Sequence, residues 1–180
     1  MDKDFFKKIR ILDAGMGQEL LARGLVSKGT LWSATSLINE KYYELVIDTH
    51  WSSIQAGAEV ILTNTFTTRM VRMEKNQVAD RFHFANKKAC ELALKAKELS
   101  KKNILIAGSL PGQNDTYIAD MRDKNIVENN FSEQASILSP HIDFFYLDVL
   151  SSGREIEIAL KVTQKFNKPV LVGKKKKKNG

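Results

Sequence analysis

The sequence has one cysteine, no long apolar run and no apolar segment near its start. A single thiol, Cys90, cannot form an internal disulfide, which excludes the disulfide-stapled secreted domains and favours a reducing compartment. No apolar run approaches the ~20 residues that cross a bilayer. The first ten residues mix charges with Phe5 and Phe6 and lack the apolar centre of an export signal. We therefore expect a cytoplasmic protein with no membrane partner.

Two common site signatures are also missing. The three histidines, His50, His83 and His141, have no metal-like spacing, and their positions suggest no Ser-His-Asp arrangement. The glycine-rich run at residues 13–17 is not the Gly-x-Gly-x-x-Gly fingerprint of dinucleotide-binding folds. Cys90 lies in an alanine-rich helical pattern, which indicates a buried apolar role. The sequence therefore indicates no histidine-based catalytic site, and it disfavours a dinucleotide-binding fold.

The net charge of +7 is concentrated in one place. The run Lys174 to Lys178 supplies five of these charges, so the remainder of the chain carries 7 − 5 = +2. A nucleic-acid-binding face needs basic residues spread over a folded surface, whereas like-charge runs are usually solvated tails. We expect a folded domain at residues 1–173, a basic tail at 174–180, and no nucleic-acid partner. An interaction of the tail with RNA or an anionic surface is the alternative.

Short apolar runs alternate with helical patterns along the chain. Runs that are apolar on both faces and are each followed by a helix predict a parallel sheet, which is either an open doubly wound sheet or a barrel. The alternation by itself does not choose between the two. Strands are predicted at residues 9–12, 60–63, 104–107, 144–147 and 169–172, and helices at 15–24, 39–57, 79–102, 130–138 and 153–166.

Polar residues follow the predicted strands at their carboxyl ends, where parallel α/β folds place their ligands. Two carboxylates there could pair with an ammonium group, and backbone N–H groups around Gly15 could bind a carboxylate. Such a rim suits a small zwitterion. The alternative is that the aspartates only cap the helices that follow them. The rim residues are Asp13, Thr63, Asn64, Ser109 and Asp148, while Trp32 and Trp51 are interpreted as packing residues.

Three segments resemble one enzyme family. Residues 11–20, Ile-Leu-Asp-Ala-Gly-Met-Gly-Gln-Glu-Leu, are similar to the opening of homocysteine S-methyltransferases, where Asp-Gly-Gly-Met-Gly is usual. Residues 31–34, Leu-Trp-Ser-Ala, and 55–66, Gln-Ala-Gly-Ala-Glu-Val-Ile-Leu-Thr-Asn-Thr-Phe, resemble the next block, and 108–111, Gly-Ser-Leu-Pro, resemble the third. The combination is specific, although each motif alone is weak.

The resemblance implies the N-terminal portion of a (β/α)8 TIM barrel, with about five strands. It implies transfer of a methyl group to the thiol of homocysteine to give methionine, from S-methylmethionine, S-adenosylmethionine, betaine or methylcobalamin. In this family two acids hold the ammonium group, and these match Asp13 and Asp148. Backbone at Ala14 and Gly15 would hold the carboxylate, where Ala14 replaces the usual glycine and Asp148 a common glutamate.

The family uses zinc held by three cysteine thiolates after the fifth strand, and these ligands are absent from this chain. The resemblance therefore implies a chain that is inactive alone. Five strands of an eight-stranded barrel leave open edges and an uncovered inner face, so we expect self-association or a complementary C-terminal half. A non-catalytic module that binds an amino acid is the alternative function.

Overall fold

Four parallel strands form one sheet in the order in which they occur along the chain. They are β1 (Val60–Leu62), β2 (Leu105–Pro111), β3 (Phe144–Leu150) and β4 (Val170–Lys174). The register pairs Val60 with Leu105, Ala107 with Phe144 and Phe145 with Val170. This computed structural model describes residues 4–13 and 15–174. The predicted parallel α/β architecture is confirmed.

Helices connect the strands and cover one face of the sheet, as right-handed crossovers require. The helix at residues 82–100 buries one face of small and apolar residues against the core, whereas Leu99, near the end of this helix, is half exposed. Among the described residues no helix is both long and apolar enough to cross a membrane. The helices are α1 (Met16–Ala22), α2 (Thr35–Ile38), α3 (Tyr43–Gln55), α4 (Met70–Lys75), α5 (Phe82–Ser100), α6 (Lys124–Leu138) and α7 (Gly153–Thr163).

The first predicted strand, at residues 9–12, is reduced to one bridge between Leu12 and Val60. Backbone hydrogen bonds extend this pairing, from Glu59 N to Ile11 O at 2.8 Å and from Asp13 N to Val60 O at 2.9 Å. The segment lies at the edge of the sheet, and Ile9 is 95% exposed. Because few contacts hold its outer side, the pairing does not extend into a full strand.

Two strands and one helix are longer than the sequence pattern indicates. Strand β2 continues past Ala107 to Pro111, and β3 continues to Leu150, so Ser109 and Asp148 lie within strands rather than after them. Helix α6 begins at Lys124, because the side chain of Asp123 accepts a hydrogen bond from Asn125 N and caps it. Polar residues in these extensions concealed them from an analysis of apolar runs.

The core lies between the sheet and the helices. Ile61, Ile106 and Phe145 point toward the helices and pack against residues such as Phe131 and Ile158. A second cluster fills the space between α1, α3 and α5. On the opposite face of the sheet, the ring of Phe6 contacts Phe144 edge-to-face, with 5.4 Å between ring centroids. The N-terminal turn therefore covers part of the face that we expected to be uncovered.

Candidate functional site

A pocket of about 350 Å³ opens at the carboxyl ends of the strands. Because these ends lie at one edge of a parallel sheet, they bring together side chains that are far apart in sequence. The pocket is lined by every described residue of the predicted site, namely Asp13, Gly15, Thr63, Asn64, Ser109 and Asp148. The remaining one, Ala14, lies outside the described residues.

Asp13 lines the pocket and is held there by contacts with a backbone N–H group and with a histidine side chain. Its Oδ2 accepts a hydrogen bond from Leu62 N at 3.1 Å. The same oxygen lies 3.4 Å from Nδ1 of His50, and neither ring nitrogen of that fully buried histidine makes a hydrogen bond of good geometry. Only 3% of the Asp13 side chain is exposed. The carboxylate is therefore held in one orientation and largely withdrawn from water.

Asp148 faces the same pocket from β3. Ser109 Oγ donates a hydrogen bond to its Oδ2 at 2.7 Å. Burial raises the pKa of Asp148, and the Ser109 hydrogen bond opposes this effect while the negative charge of Asp13 adds to it. Burial and the nearby Asp148 carboxylate likewise raise the pKa of Tyr146. Two carboxylates that repel each other in a buried pocket favour a cationic ligand between them.

A backbone irregularity lies beside Asp148. The register between β3 and β4 shifts between Leu147 and Leu150, and Val149 has a φ of 55°. Such a conformation is strained for a β-branched residue, at a cost of about 1–3 kcal/mol. In a regular strand, neighbouring side chains point to opposite faces, whereas Asp148 and Val149 both line the pocket. The bulge therefore lets two consecutive residues shape the site.

The predicted rim residues Thr63 and Asn64 line the pocket, but their side chains are engaged with the protein. Thr63 Oγ1 accepts a hydrogen bond from Ser109 N at 3.1 Å and lies 2.9 Å from Thr65 Oγ1. Asn64 Nδ2 donates to Ser33 O at 3.3 Å and lies 3.2 Å from Ser36 Oγ. These bonds tie the segment at the end of β1 to β2, to α2 and to the turn before α2. The two residues therefore position the rim.

An aromatic wall was missed by the sequence analysis, which assigned Trp32 only to packing. Trp32, Phe66, Tyr117 and Tyr146 line the pocket together with the polar residues of the strand ends. Trp32 has a φ of 49°, and its ring lies against Gly17 so closely that a Cβ atom there would meet ring carbons at 2.8 Å. Residues 31–34 show no periodicity that would have revealed this placement.

The described residues do not offer a metal site. No group of three His, Cys, Asp or Glu side chains within residues 4–13 and 15–174 is arranged to hold a metal ion. Cys90 is buried in the apolar core beneath the sheet, where burial raises the pKa of its thiol to about 12. A thiol of that pKa stays protonated and is a poor ligand at neutral pH.

The raised pKa of Asp148 predicts a pH-dependent gain of stability on its removal. A carboxyl group whose pKa is higher in the folded than in the unfolded state destabilises the fold once it ionises, so its cost appears as pH rises through the folded pKa. Asp148→Asn should therefore be more stable than the wild type at pH 7. Chemical denaturation should show this difference shrinking as pH falls toward the ordinary aspartate range.

The exposed carboxylate Asp48 provides a matched control for that experiment. Asp48→Asn removes the same charge without relieving burial, so its stability should follow the wild type at both pH values. An Asp148→Asn variant that is less stable than the wild type at pH 7 would contradict the electrostatic interpretation of the pocket.

Comparison with solved structures shows the same fold elsewhere. The metallated form of the homocysteine methyltransferase MmuM from Escherichia coli superposes with a TM-score of 0.72 at 22% identity, over 91% of this chain and 62% of that one. Its apo form gives a TM-score of 0.67 over 96% of this chain. This likeness shows that the parallel α/β fold of the chain matches part of the fold of that enzyme.

Sequence comparisons find curated relatives of one kind. Homocysteine S-methyltransferase 2 of Zea mays is 30% identical over 61% of this chain. The S-methylmethionine–homocysteine S-methyltransferase BHMT2 of Rattus norvegicus is 28% identical over 89% of it. The chain spans 35% of the length of the maize protein and 41% of the rat protein.

The comparison with family models finds a match over nearly the whole sequence. The family profile described as homocysteine S-methyltransferase matches residues 10–178, which include both pocket aspartates and all four strands. The order of the motifs, the parallel sheet and the position of the pocket agree with this match. The chain belongs to the homocysteine S-methyltransferase family.

Proposed function

We propose that this chain binds homocysteine in the strand-end pocket and forms the acceptor side of a methyltransferase that produces methionine. The observation that carries the proposal is the pair of carboxylates, the buried Asp13 and the partly buried Asp148, facing one pocket. No Lys, Arg or His is among the described residues that line it. The ammonium group of homocysteine therefore supplies the positive charge that the two carboxylates lack in the protein.

The remaining parts of homocysteine fit the rest of the lining. Open space lies beside Gly15, where an added Cβ would meet no atom within 4 Å, and α1 begins at the next residue. Unpaired N–H groups at that end suit the substrate carboxylate. The thiol-bearing side chain then extends along the apolar and aromatic part of the pocket, toward Trp32 and Phe66.

The reaction moves one methyl group between two heteroatoms. The bond from the methyl carbon to the positively charged sulfur or nitrogen of the donor breaks, and that atom keeps the electron pair and becomes neutral. A new bond forms between the carbon and the homocysteine sulfur, whose proton is lost to solvent because the thiolate is the nucleophile. The chain contributes binding and orientation of the acceptor to this step.

Activation of the thiol needs more than this chain provides. Three thiolate ligands for zinc cannot come from a sequence with one cysteine. We propose that a segment carrying metal-binding cysteines completes the enzyme. The chain without that segment would bind its substrate but would not transfer a methyl group. The single buried cysteine also fits a reducing cytoplasm as the site of action.

Titration calorimetry with homocysteine tests the proposal directly. The matched control ligand is 4-mercaptobutanoate, which keeps the thiol and carboxylate and lacks only the ammonium group. We expect heat with homocysteine and none with the control, because the carboxylate pair repels an anion that brings no cation. Equal affinity for both ligands would refute an ammonium site at Asp13 and Asp148.

The edges of the sheet suggest where a completing segment would join. Ile9 and Ile11 are exposed at one edge, and Val172 of β4 is 40% exposed at the other. Unpaired edges with apolar side chains favour pairing with further strands. We propose that a C-terminal barrel segment, or a second copy of this chain, occupies them.

Mixing the chain with the C-terminal part of a homologous enzyme tests this assembly. We expect zinc-dependent formation of methionine from homocysteine and S-methylmethionine in the mixture, and none from either part alone. Light scattering of the isolated chain should show self-association. A monomer that yields no activity in the mixture would favour the alternative of a non-catalytic amino-acid-binding module.

A further inference from the structure

Behind the strand-end pocket lies a buried histidine, His50, whose ring nitrogens are both unsatisfied. The residue is fully buried on α3 and is not among the described residues that line the pocket. Neither Nδ1 nor Nε2 has a hydrogen-bond partner within the described part of the chain. An unpaired polar group in the interior costs free energy, so a histidine in this condition requires a physical explanation.

The group that faces Nδ1 is the carboxylate of Asp13. Nδ1 lies 3.4 Å from Oδ2, and 3% of the Asp13 side chain is exposed. A good N–H···O hydrogen bond measures about 2.7–3.2 Å, so the two groups are close but not yet bonded. Functional contacts are often long in an empty site and tighten when the ligand binds. The His50–Asp13 pair has the geometry of such a contact.

The protonation of the ring follows from this geometry. A neutral imidazole has one nitrogen that donates a hydrogen bond and one that accepts. If Nδ1 were the acceptor, its lone pair would face the Asp13 carboxylate in a buried site, where two acceptors repel each other strongly. A proton on Nδ1 removes this repulsion and lets the ring donate to Asp13. We therefore expect His50 to carry a proton on Nδ1.

A donor at Nδ1 divides the two oxygens of Asp13 between the protein and a ligand. Oδ2 already accepts a hydrogen bond from Leu62 N at 3.1 Å, and His50 approaches the same oxygen. No described residue donates a hydrogen bond to Oδ1. Because the protein holds the carboxylate through Oδ2, Oδ1 is left to accept hydrogen bonds from a ligand in the pocket.

We propose that His50 is a positioning residue of the acceptor site: its Nδ1–H holds Oδ2 of Asp13, and the free Oδ1 binds the ammonium group of homocysteine. This inference rests on the proposed function and adds to it a residue outside the pocket. His50 does not touch the substrate and acts only through Asp13. Helix α3 contributes none of the described pocket-lining residues, so this histidine is how the helix affects the site.

NMR of the nitrogen-15-labelled full chain tests the protonation of the ring. Two-bond proton–nitrogen correlations distinguish a ring with its proton on Nδ1 from one with its proton on Nε2. The signals that disappear in His50→Asn identify this ring, and His83 and His141 are internal references. We expect a proton on Nδ1 of His50 in the empty protein. A bare Nδ1 would overturn the proposal, whether or not homocysteine binds.

Calorimetry with homocysteine measures the effect on binding. His50→Leu should weaken binding about tenfold, because a hydrogen bond to a charged group contributes about that much. His50→Asn should retain most of the affinity, since its amide nitrogen can take the place of Nδ1. His50→Gln places its amide nitrogen where Nε2 lies and should resemble His50→Leu. His83→Leu, at an exposed histidine of α5, is the matched control and should bind as the wild type does.

A double-mutant cycle separates positioning from packing. In an Asp13→Asn background, His50→Leu should reduce homocysteine affinity less than about twofold, because the charge that His50 positions is already gone. An equal loss in both backgrounds would show a merely structural role and would refute the inference.

The same titrations keep the two proposals distinguishable. A wild type that does not bind homocysteine would overturn the acceptor function and, with it, the role of Oδ1. A wild type that binds homocysteine, together with a bare Nδ1 or an unaffected His50→Leu, would overturn only the role of His50.

Discussion

Asp148→Asn and Asp13→Asn are each expected to weaken homocysteine binding by at least about a hundredfold, because each removes one charge from a buried ionic contact with the ammonium group. The amide keeps the size of the side chain. It can still accept the hydrogen bond from Ser109 Oγ in one case and from Leu62 N in the other. Titration calorimetry at pH 7 measures the loss.

Two controls show whether the charge or the local structure is responsible. Asp48→Asn removes a carboxylate from the exposed face of α3 and should bind homocysteine as the wild type does. Ser109→Ala removes the hydroxyl that orients Asp148 but leaves both charges, so it should weaken binding less than either asparagine variant. If the two aspartate variants bound homocysteine normally, the ammonium site would lie elsewhere.

The same substitution should then act in opposite directions on binding and on stability. Asp148→Asn is expected to stabilise the empty protein at pH 7 while it weakens homocysteine binding. This opposition is typical of functional sites, where a group that is costly for the fold is retained for its ligand. A purely structural aspartate that caps a helix would instead lose stability on replacement.

Gly17→Ala is expected to disrupt the site from its other side. A Cβ atom at position 17 would lie 2.8–2.9 Å from three carbons of the Trp32 ring, so the ring or the start of α1 must move. Overpacking of this kind costs about 1–3 kcal/mol. We expect lower stability and a displaced Trp32, followed by weaker homocysteine binding, since Trp32 lines the strand-end pocket.

Tryptophan fluorescence in a Trp51→Phe background reports this displacement, because Trp32 is then the only tryptophan. Gly153→Ala is the matched control. Gly153, like Gly17, lies in the first turn of a helix, but an added Cβ there would meet no atom within 4 Å. It should leave the emission of Trp32 and the melting temperature unchanged. An unchanged Trp32 spectrum in Gly17→Ala would show that the contact is less restrictive than the geometry indicates.

The positions of the site residues were largely predictable, whereas their roles within the site were not. Asp13 and Asp148 were assigned from their places near the ends of apolar runs, and both face the pocket. Thr63 and Asn64 were assigned by the same rule, yet their side chains hold the loops together. The rule locates the edge of the sheet where ligands bind, but it does not distinguish side chains that bind ligands from those that support them.

The helical periodicity around His50 predicts that this residue is buried, but it does not predict which residue its ring contacts. His50 lies four residues after Val46 and four before Ile54, a helical spacing that predicts the inner face of α3, and it is fully buried there. That its ring faces Asp13 depends on how α3 packs beside the first chain segment. Neither residue carries a local signal for the other, because the contact joins two elements that are separate in sequence.

The sequence by itself determined the alternation of strands and helices, the parallel sheet and the family. These follow from patterns within short windows, because a strand buried on both faces must be apolar and a helix must present one apolar face. Only the tertiary structure decided that Trp32 lines the pocket, that the bulge at Val149 turns consecutive residues toward it, and that His50 faces Asp13. Those contacts join distant segments whose local sequences carry no period, so packing alone determines them.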